Sequence, residues 1–171
     1  MIAPTIRCGS KSEPMPKEKR KSAKQAALRA AKGQYGAIPI RLTRKGKAEV
    51  LLVTSRGTRR WVIPKGWPIR KLSPADTAVR EAFEEAGIKG RILRSKPIGR
   101  YRYRKSDQAE LGKITVQVFL MQVKRQVQEW PERAERKFRW VRPRRAATMV
   151  AERKLALLLA RIPKIAGREG T

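Results

Sequence analysis

Three glutamates, Glu81, Glu84 and Glu85, lie within five residues of one another near the middle of this 171-residue chain. In a helix, residues at positions i, i+3 and i+4 lie on the same side, so the three carboxylates would repel one another. A divalent cation with oxygen ligands relieves that repulsion, and Mg²⁺ and Mn²⁺ are the ions that suit carboxylates. The spacing therefore indicates a metal site, with a solvated acidic helix face as the alternative.

The residues around the three glutamates predict one short helix over 74–86. Ser73 is a good N-cap, and Pro74 occupies the first helical position, where its missing N–H costs nothing. Asp76 completes a pattern that resembles a capping box, and Gly87 supplies a left-handed stop. Opposite the glutamates, the helix carries a predicted apolar stripe made of Val79, Ala82, Phe83 and Ala86.

The composition excludes several kinds of chemistry. The chain contains no histidine, which excludes His nucleophiles, Ser-His-Asp hydrolases and His-ligated metals. Its single cysteine, Cys8, excludes an intrachain disulfide and a cysteine-cluster zinc site. No apolar run approaches the ~20 residues of a membrane span, and the N-terminus lacks the apolar core of a signal peptide. A reduced, cytoplasmic protein is the expectation.

The charge of the chain is extreme. Forty-three lysines and arginines oppose 14 acidic residues, for a net charge of +29. Such a chain attracts polyanions such as nucleic acid, acidic membrane surfaces or phosphate-rich small molecules. Residues 1–33 are basic and polar with little apolar surface, so they are expected to form a flexible segment, or an arm for nucleic acid or a membrane surface.

The rest of the chain alternates between strand and helix patterns. One helix lies between runs of strands and a second helix is predicted over 146–161, which favours an α+β or α/β sandwich with a mixed sheet. The layout predicts a domain over 34–165 and a short tail over 166–171. The predicted strands are 37–41, 50–54, 61–63, 98–104, 114–123 and 138–141.

The chain resembles the Nudix hydrolases. Their signature runs Gly, five residues, Glu, seven residues, Arg-Glu, an apolar residue, any residue, Glu-Glu, any residue, Gly and an apolar residue. The chain departs from it at the first Glu, which aligns with Leu72. The matching residues are Gly66, Arg80, Glu81, Ala82, Glu84, Glu85, Gly87 and Ile88.

The resemblance extends over roughly residues 34–160. The runs 35–41, 50–55 and 61–67 look like the subgroup of diphosphoinositol polyphosphate and dinucleoside polyphosphate hydrolases, as do 130–132 and 139–141. The resemblance implies the Nudix fold, an α/β/α sandwich with a mixed β-sheet between helices. It also implies Mg²⁺-dependent cleavage of a diphosphate linkage, with Mn²⁺ as a substitute.

The resemblance also implies roles for individual residues. Glu81, Glu84 and Glu85 are expected to hold metal and serve catalysis, and Arg80 to orient carboxylates. Since Leu72 replaces the glutamate that normally holds that arginine, Asp76 is expected to pair with Arg80 instead. A further carboxylate from a distant loop is usual in the family; Glu132 is the first choice, ahead of Glu135, Glu129 and Glu110. The expected substrate-binding residues are Lys65, Gly66, Arg41, Arg59, Arg100 and Arg102.

Two functions remain open from the sequence. The first is a metal-dependent pyrophosphohydrolase acting on a phosphate-dense small molecule, such as a diphosphoinositol polyphosphate, a dinucleoside polyphosphate or a nucleotide. The second is a nucleic-acid-binding protein whose Nudix domain is vestigial or processes RNA 5′ ends. The three glutamates favour the first, because a vestigial site has no reason to keep them. The charge does not discriminate, and the oligomeric state is unknown.

A chain that starts at Gln34 tests the basic segment. It should hydrolyse a small substrate at a near-normal rate, since residues 1–33 have too little apolar surface to join a core. Its affinity for RNA should fall, and log K should vary less steeply with log salt, because fewer counterions are released per complex. Unfolding of the shortened chain, or an unchanged RNA affinity and salt slope, would contradict this prediction.

Overall fold

The computed structural model describes residues 33–104 and 112–166, with side chains up to Pro163. Almost all of the predicted basic segment and most of the predicted C-terminal tail lie outside these residues, so the proposed division of the chain stays a prediction. The strands are β1 Gln34–Leu42, β2 Ala48–Thr54, β3 Trp61–Val62, β4 Lys65–Gly66, β5 Ile88–Ile92, β6 Gly99–Arg104, β7 Lys113–Gln126 and β8 Phe138–Val141. The helices are α1 Pro74–Ala86, α2 Pro143–Met149 and α3 Arg153–Ala166.

These strands form one mixed sheet. Its main order is β3-β2-β1-β7-β5, with β4 beside β1, β6 beside β7 and β8 beside β2. The long central pair, β1 and β7, is parallel, whereas the other named pairs are antiparallel. The mixed sheet confirms the predicted fold class.

Helices cover both faces of the sheet and create two apolar layers. On one face, α1 buries small residues such as Ala78 and Ala82 against Phe119 of β7. On the other face, Leu155 and Leu159 of α3 pack in a cluster with strand residues and with α2. The α/β/α sandwich expected from the sequence is therefore present. No helix of the described residues is long and apolar enough to cross a membrane.

The predicted C-terminal helix was wrong in one respect. Two helices, α2 and α3, occupy the region expected to form one helix over 146–161. Val150 between them is extended, with φ −91° and ψ 148°, and forms an isolated bridge with Trp61. Because this contact joins residues far apart in the chain, local helix propensity does not reveal the break.

The sequence did not predict two of the strands, β4 and β5. β4 has only two residues, and β5 contains Gly90, which is unfavourable in the middle of a strand. A Cβ at Gly90 would lie 2.1 Å from the carbonyl oxygen of Gln122, so glycine is what lets β5 approach β7. A register shift in the β5–β7 pairing occurs at the same place.

The predicted ends of α1 are confirmed. Ser73 is the N-cap and accepts a hydrogen bond from the Asp76 N–H at 3.1 Å. Gly87 ends the helix in the left-handed conformation, with φ 66° and ψ 21°. A Cβ at Gly87 would also lie 2.5 Å from the Trp130 ring, so this glycine allows the loop before β8 to pack on the helix end.

Substitution of Gly87 by alanine should separate these two roles when it is compared with the same change at Gly46. Both glycines have positive φ, but nothing lies within 4 Å of a Cβ at Gly46. Gly46→Ala should cost about 1–2 kcal/mol of unfolding free energy, the strain of a left-handed residue. Gly87→Ala should cost roughly 1–3 kcal/mol more, because the methyl group collides with Trp130. Urea denaturation of both variants measures the difference, and equal costs would contradict the packing role.

Candidate metal and active site

The core of the candidate site is the contact between Glu81 of α1 and Gly66 of β4. A Cβ at Gly66 would lie 2.0 Å from the Glu81 carboxyl group, a distance no side chain tolerates. Gly66 is buried, and it pairs with Tyr35 of β1. A glycine at this position therefore lets a helix carboxylate rest directly on the sheet backbone.

Glu85 is the most deeply buried acidic residue described, with 5% of its surface exposed. One carboxylate oxygen accepts a hydrogen bond from the Lys65 backbone N–H at 3.2 Å. The other accepts from Nη2 of Arg136 at 2.5 Å. The carboxylate is thus fixed between β4 and an arginine 51 residues away in the sequence.

The predicted division of α1 into an apolar and an acidic side was only partly right. Ala82 and Ala86 are buried as expected, but Val79 and Phe83 are only partly buried. The buried arc includes Ala78 and Glu85 itself. The reason is that the helix packs its small residues against the sheet, which places Glu85 among them instead of opposite them.

Arg80 binds the carboxylate of Glu84, which agrees with its predicted role of orienting carboxylates but not with the partner predicted for it. Nε of Arg80 donates to Oε1 of Glu84 at 2.5 Å, an i, i+4 pair at the surface. The expected Asp76–Arg80 pair is wrong, since the Asp76 carboxylate instead accepts a hydrogen bond from the Ser73 hydroxyl at 2.6 Å. Leu72 lies in the preceding loop, is 41% exposed and makes no contribution to this pairing.

Glu132 is the loop carboxylate that the structure brings to α1. Its backbone N–H donates to the carbonyl oxygen of Glu84 at 3.1 Å, so the loop docks on the helix. Its side chain binds Nε of Arg136 at 2.5 Å and lies 3.5 Å from Nη2 of Arg56. Glu135 lies at the surface nearby and pairs with Arg56, Glu129 is exposed, and Glu110 lies outside the described residues.

Negative charge accumulates around Glu81. Burial, together with neighbouring carboxylates, raises the pKa of Glu81 from 4.5 to about 7. The carboxylates that contribute are those of Glu85, Glu84 and Glu132, and Lys65 opposes them. Burial raises the pKa of Glu85 to about 7 as well, with Lys65 and Arg136 opposing it.

The donor set fits a hard divalent cation. All the candidate ligands are carboxylates, and Glu81 forms none of the ion pairs found within residues 33–104 and 112–166. Within residues 33–104 and 112–166, no three acidic side chains lie close enough together to form a ready metal site, and arginines bind Glu84, Glu85 and Glu132. The residues that could hold a cation are thus Glu81 first, with Glu85 and Glu132 beside it.

Arg136 is the residue of the site that sequence reasoning missed. It is 8% exposed and contacts two of the predicted metal ligands. The only local signal is its i+4 spacing from Glu132, which does not distinguish it among 43 basic residues.

The structure places the predicted substrate-binding residues at four different positions. Lys65 and Gly66 belong to β4 and contact the glutamates of α1 as described above. Arg59 lines a cleft of about 680 Å³ together with Arg136, and Arg100 and Arg102 are exposed on β6. Arg41 binds Glu49 at 2.9 Å and stacks over Trp140 at 4.1 Å, so its role in substrate binding remains a prediction without support from its contacts.

A family model described as the NUDIX domain matches residues 33–160, about three quarters of the chain. The chain belongs to the Nudix hydrolase family, whose members act on pyrophosphate bonds and generally use divalent metals. The resemblance stated from the signature is therefore confirmed.

Named relatives agree with this assignment. "Nudix hydrolase 12, mitochondrial" of Arabidopsis thaliana is 37% identical over 122 residues, which cover 62% of this chain and 60% of the relative. "Nudix hydrolase 13, mitochondrial" of the same plant is 30% identical over 153 residues, covering 80% and 75%. "Diphosphoinositol polyphosphate phosphohydrolase 3-beta" of Bos taurus is 51% identical over 47 residues, covering 27% and 29%. The chain thus spans less than two thirds of the first relative's length.

Solved structures support the fold. The crystal structure of the Ap4A hydrolase of C. elegans superposes with a TM-score of 0.62 at 19% identity, covering 78% of this chain and 96% of that one. At this identity the likeness shows the shared fold alone.

The raised pKa of Glu81 predicts how stability depends on pH when no metal is bound. Between about pH 4.5 and 7 the folded chain binds more protons at Glu81 than the unfolded chain does, so its stability falls as pH rises through this window. Glu81→Gln removes the titrating group and should raise the melting temperature in EDTA at pH 8 relative to the parent chain. At pH 4.5 the two should melt alike. Thermal melts at both pH values measure this, and a variant less stable than its parent at pH 8 would contradict it.

Proposed function

We propose that this chain is a divalent-metal-dependent pyrophosphohydrolase that uses Mg²⁺, with Mn²⁺ as a substitute. The observation that carries the proposal is the placement of Glu81 and Glu85 of α1 against β4, where burial and neighbouring carboxylates raise the pKa of both groups. A protein keeps like charges together in a buried position at a cost in stability, and a bound cation offsets that cost. The proposed catalytic domain comprises residues 34–165.

A divalent cation held by Glu81, Glu85 and Glu132 would neutralise phosphoryl oxygens and lower the pKa of water at the site. The chain's own part is to hold the carboxylates and orient the substrate. Glu84 contributes by fixing Arg80 at the surface of α1. Glu81 is the best candidate for a base, because its pKa of about 7 suits proton transfer near neutral pH.

The substrate should carry several phosphates. The main support is a row of paired residues that runs across the sheet from Gly66 through Tyr35 and Gln117 to Arg100. Tyr101 belongs to the core on the α3 side, so its neighbours Arg100 and Arg102 point to the α1 face. Three strand spacings put Arg100 roughly 14 Å from Gly66. Guanidinium groups at that distance suit phosphates remote from the bond that is cleaved.

The proposed substrate class is a diphosphoinositol polyphosphate, a dinucleoside polyphosphate or a nucleotide. One similar protein is a diphosphoinositol polyphosphate phosphohydrolase, which supports phosphate-dense substrates. A phosphate-release screen with Mg²⁺ tests the class. It should include these compounds together with ADP-ribose and 5′-triphosphate RNA, and release from RNA alone would favour the nucleic-acid alternative.

Glu81→Gln and Glu85→Gln should each lower kcat by at least ~10²-fold while the fold remains, because each removes charge that a cation needs. EDTA should abolish activity and Mg²⁺ or Mn²⁺ should restore it. Glu49→Gln is a matched control. Glu49 of β2 pairs with Arg41 near the C-terminal end of β1, whereas β4 pairs with the opposite end of that strand. Turnover within threefold of the parent in both α1 variants, or full activity after exhaustive chelation, would overturn the proposal.

A further inference from the structure

Arg136 uses three different nitrogen atoms to bind three different parts of the fold. Nε binds Oε2 of Glu132 at 2.5 Å, Nη2 binds Oε1 of Glu85 at 2.5 Å, and Nη1 binds the carbonyl oxygen of Thr54 at 2.8 Å. The side chain is 6% exposed. A buried guanidinium group whose three nitrogens all donate hydrogen bonds can adopt only one orientation.

The guanidinium is anchored to the sheet independently of the carboxylates. Thr54 ends β2, and its backbone N–H donates to the carbonyl oxygen of Lys137 at 2.9 Å. In return, the Lys137 N–H donates to the Thr54 hydroxyl at 3.0 Å. These two bonds fix the backbone next to Arg136, and the Nη1 bond to Thr54 fixes the guanidinium plane.

The two carboxylates that Arg136 joins come from different elements. Glu85 belongs to α1, and Glu132 belongs to the loop between β7 and β8. A carboxylate has about four lone-pair positions, so one bond from Arg136 leaves each of them able to bind a cation. Arg136 is the side chain, among those described, whose hydrogen bonds join the two carboxylates directly.

We propose that Arg136 is a positioning residue that holds Glu85 and Glu132 in the relative orientation in which both bind the divalent cation. This inference rests on the proposed function. Arginine suits the role because its planar fork reaches three acceptors at fixed angles, whereas lysine supplies a single point of charge. Residues that hydrogen-bond to metal ligands orient those ligands, and their removal typically lowers metal affinity by roughly 10–100-fold.

Binding of Mn²⁺ without substrate tests the proposal, with free Mn²⁺ followed by electron paramagnetic resonance. Arg136→Lys keeps the charge and loses the fork, and Arg136→Gln loses the charge. Both should raise the Mn²⁺ Kd at least about tenfold. Arg139→Gln is the matched control, because Arg139 is an exposed arginine of β8 that lies over Trp61 at 5.7 Å. Its Kd should stay within about twofold of the parent value.

Other outcomes overturn the proposal. An unchanged Kd in a folded Arg136 variant would show that the arginine is only structural, and a lower Kd would show that it competes with the cation. Arg136→Gln leaves Glu85 buried without the guanidinium group that pairs with it, and this can unfold the chain. In that case Arg136→Lys, shown to be folded by near-ultraviolet circular dichroism, decides the question.

Kinetics separate this inference from the proposed function. In Arg136→Lys, kcat at limiting Mg²⁺ should fall at least about tenfold with KM for the substrate little changed, and added Mg²⁺ should restore it. A parent chain that binds Mn²⁺ but hydrolyses nothing would refute the proposed function, while the Mn²⁺ titration would still judge Arg136. A parent chain that binds no Mn²⁺ would refute both.

Discussion

The buried carboxylate of Glu85 is the constraint on which the rest of the site depends. An ionised carboxylate inside a protein must be paired or hydrogen-bonded, because desolvation otherwise neutralises it. In this chain the two partners are the Lys65 N–H and the Arg136 guanidinium. The first requires β4 to lie beside the C-terminal turn of α1. The second requires the loop before β8 to fold back across the end of β2.

The close approach of these elements explains where two of the glycines lie. At Gly66 the absence of a side chain makes room for the Glu81 carboxyl group, and at Gly87 it makes room for Trp130. The first contact brings a carboxylate to the sheet backbone, and the second holds the loop that carries Glu132. Each glycine therefore makes room for a contact that positions a carboxylate of the proposed metal site.

The high positive charge does not act as one uniform surface. Arg136 binds one buried and one partly buried carboxylate, and Arg41 and Arg60 are exposed but pair with partly buried glutamates. Ion pairs with an exposed partner contribute little to stability, so these bonds do not account for the excess of basic residues. Arg100 and Arg102 are different, because they remain exposed on the same sheet face as α1. A field of this sign raises the local concentration of anionic substrates.

Local signals were sufficient for much of the fold. The N-cap, the first-turn proline and the left-handed glycine are local devices, which is why α1 was predicted with its exact bounds. The strands with continuous apolar runs were also found to within a few residues. By contrast, β4 is too short to show a pattern, and the break at Val150 depends on a bridge to Trp61.

The sequence by itself determined the family, the fold class and the carboxylates gathered on one helix, because a signature and a helical period are properties of neighbouring residues. Only the tertiary structure decided which basic side chain each carboxylate pairs with. Arg80 lies beside Glu84, and Arg136 reaches Glu85 from 51 residues away. The physical reason is that ion pairs depend on distance in space, and in a chain with 43 basic residues the sequence offers every glutamate many possible partners.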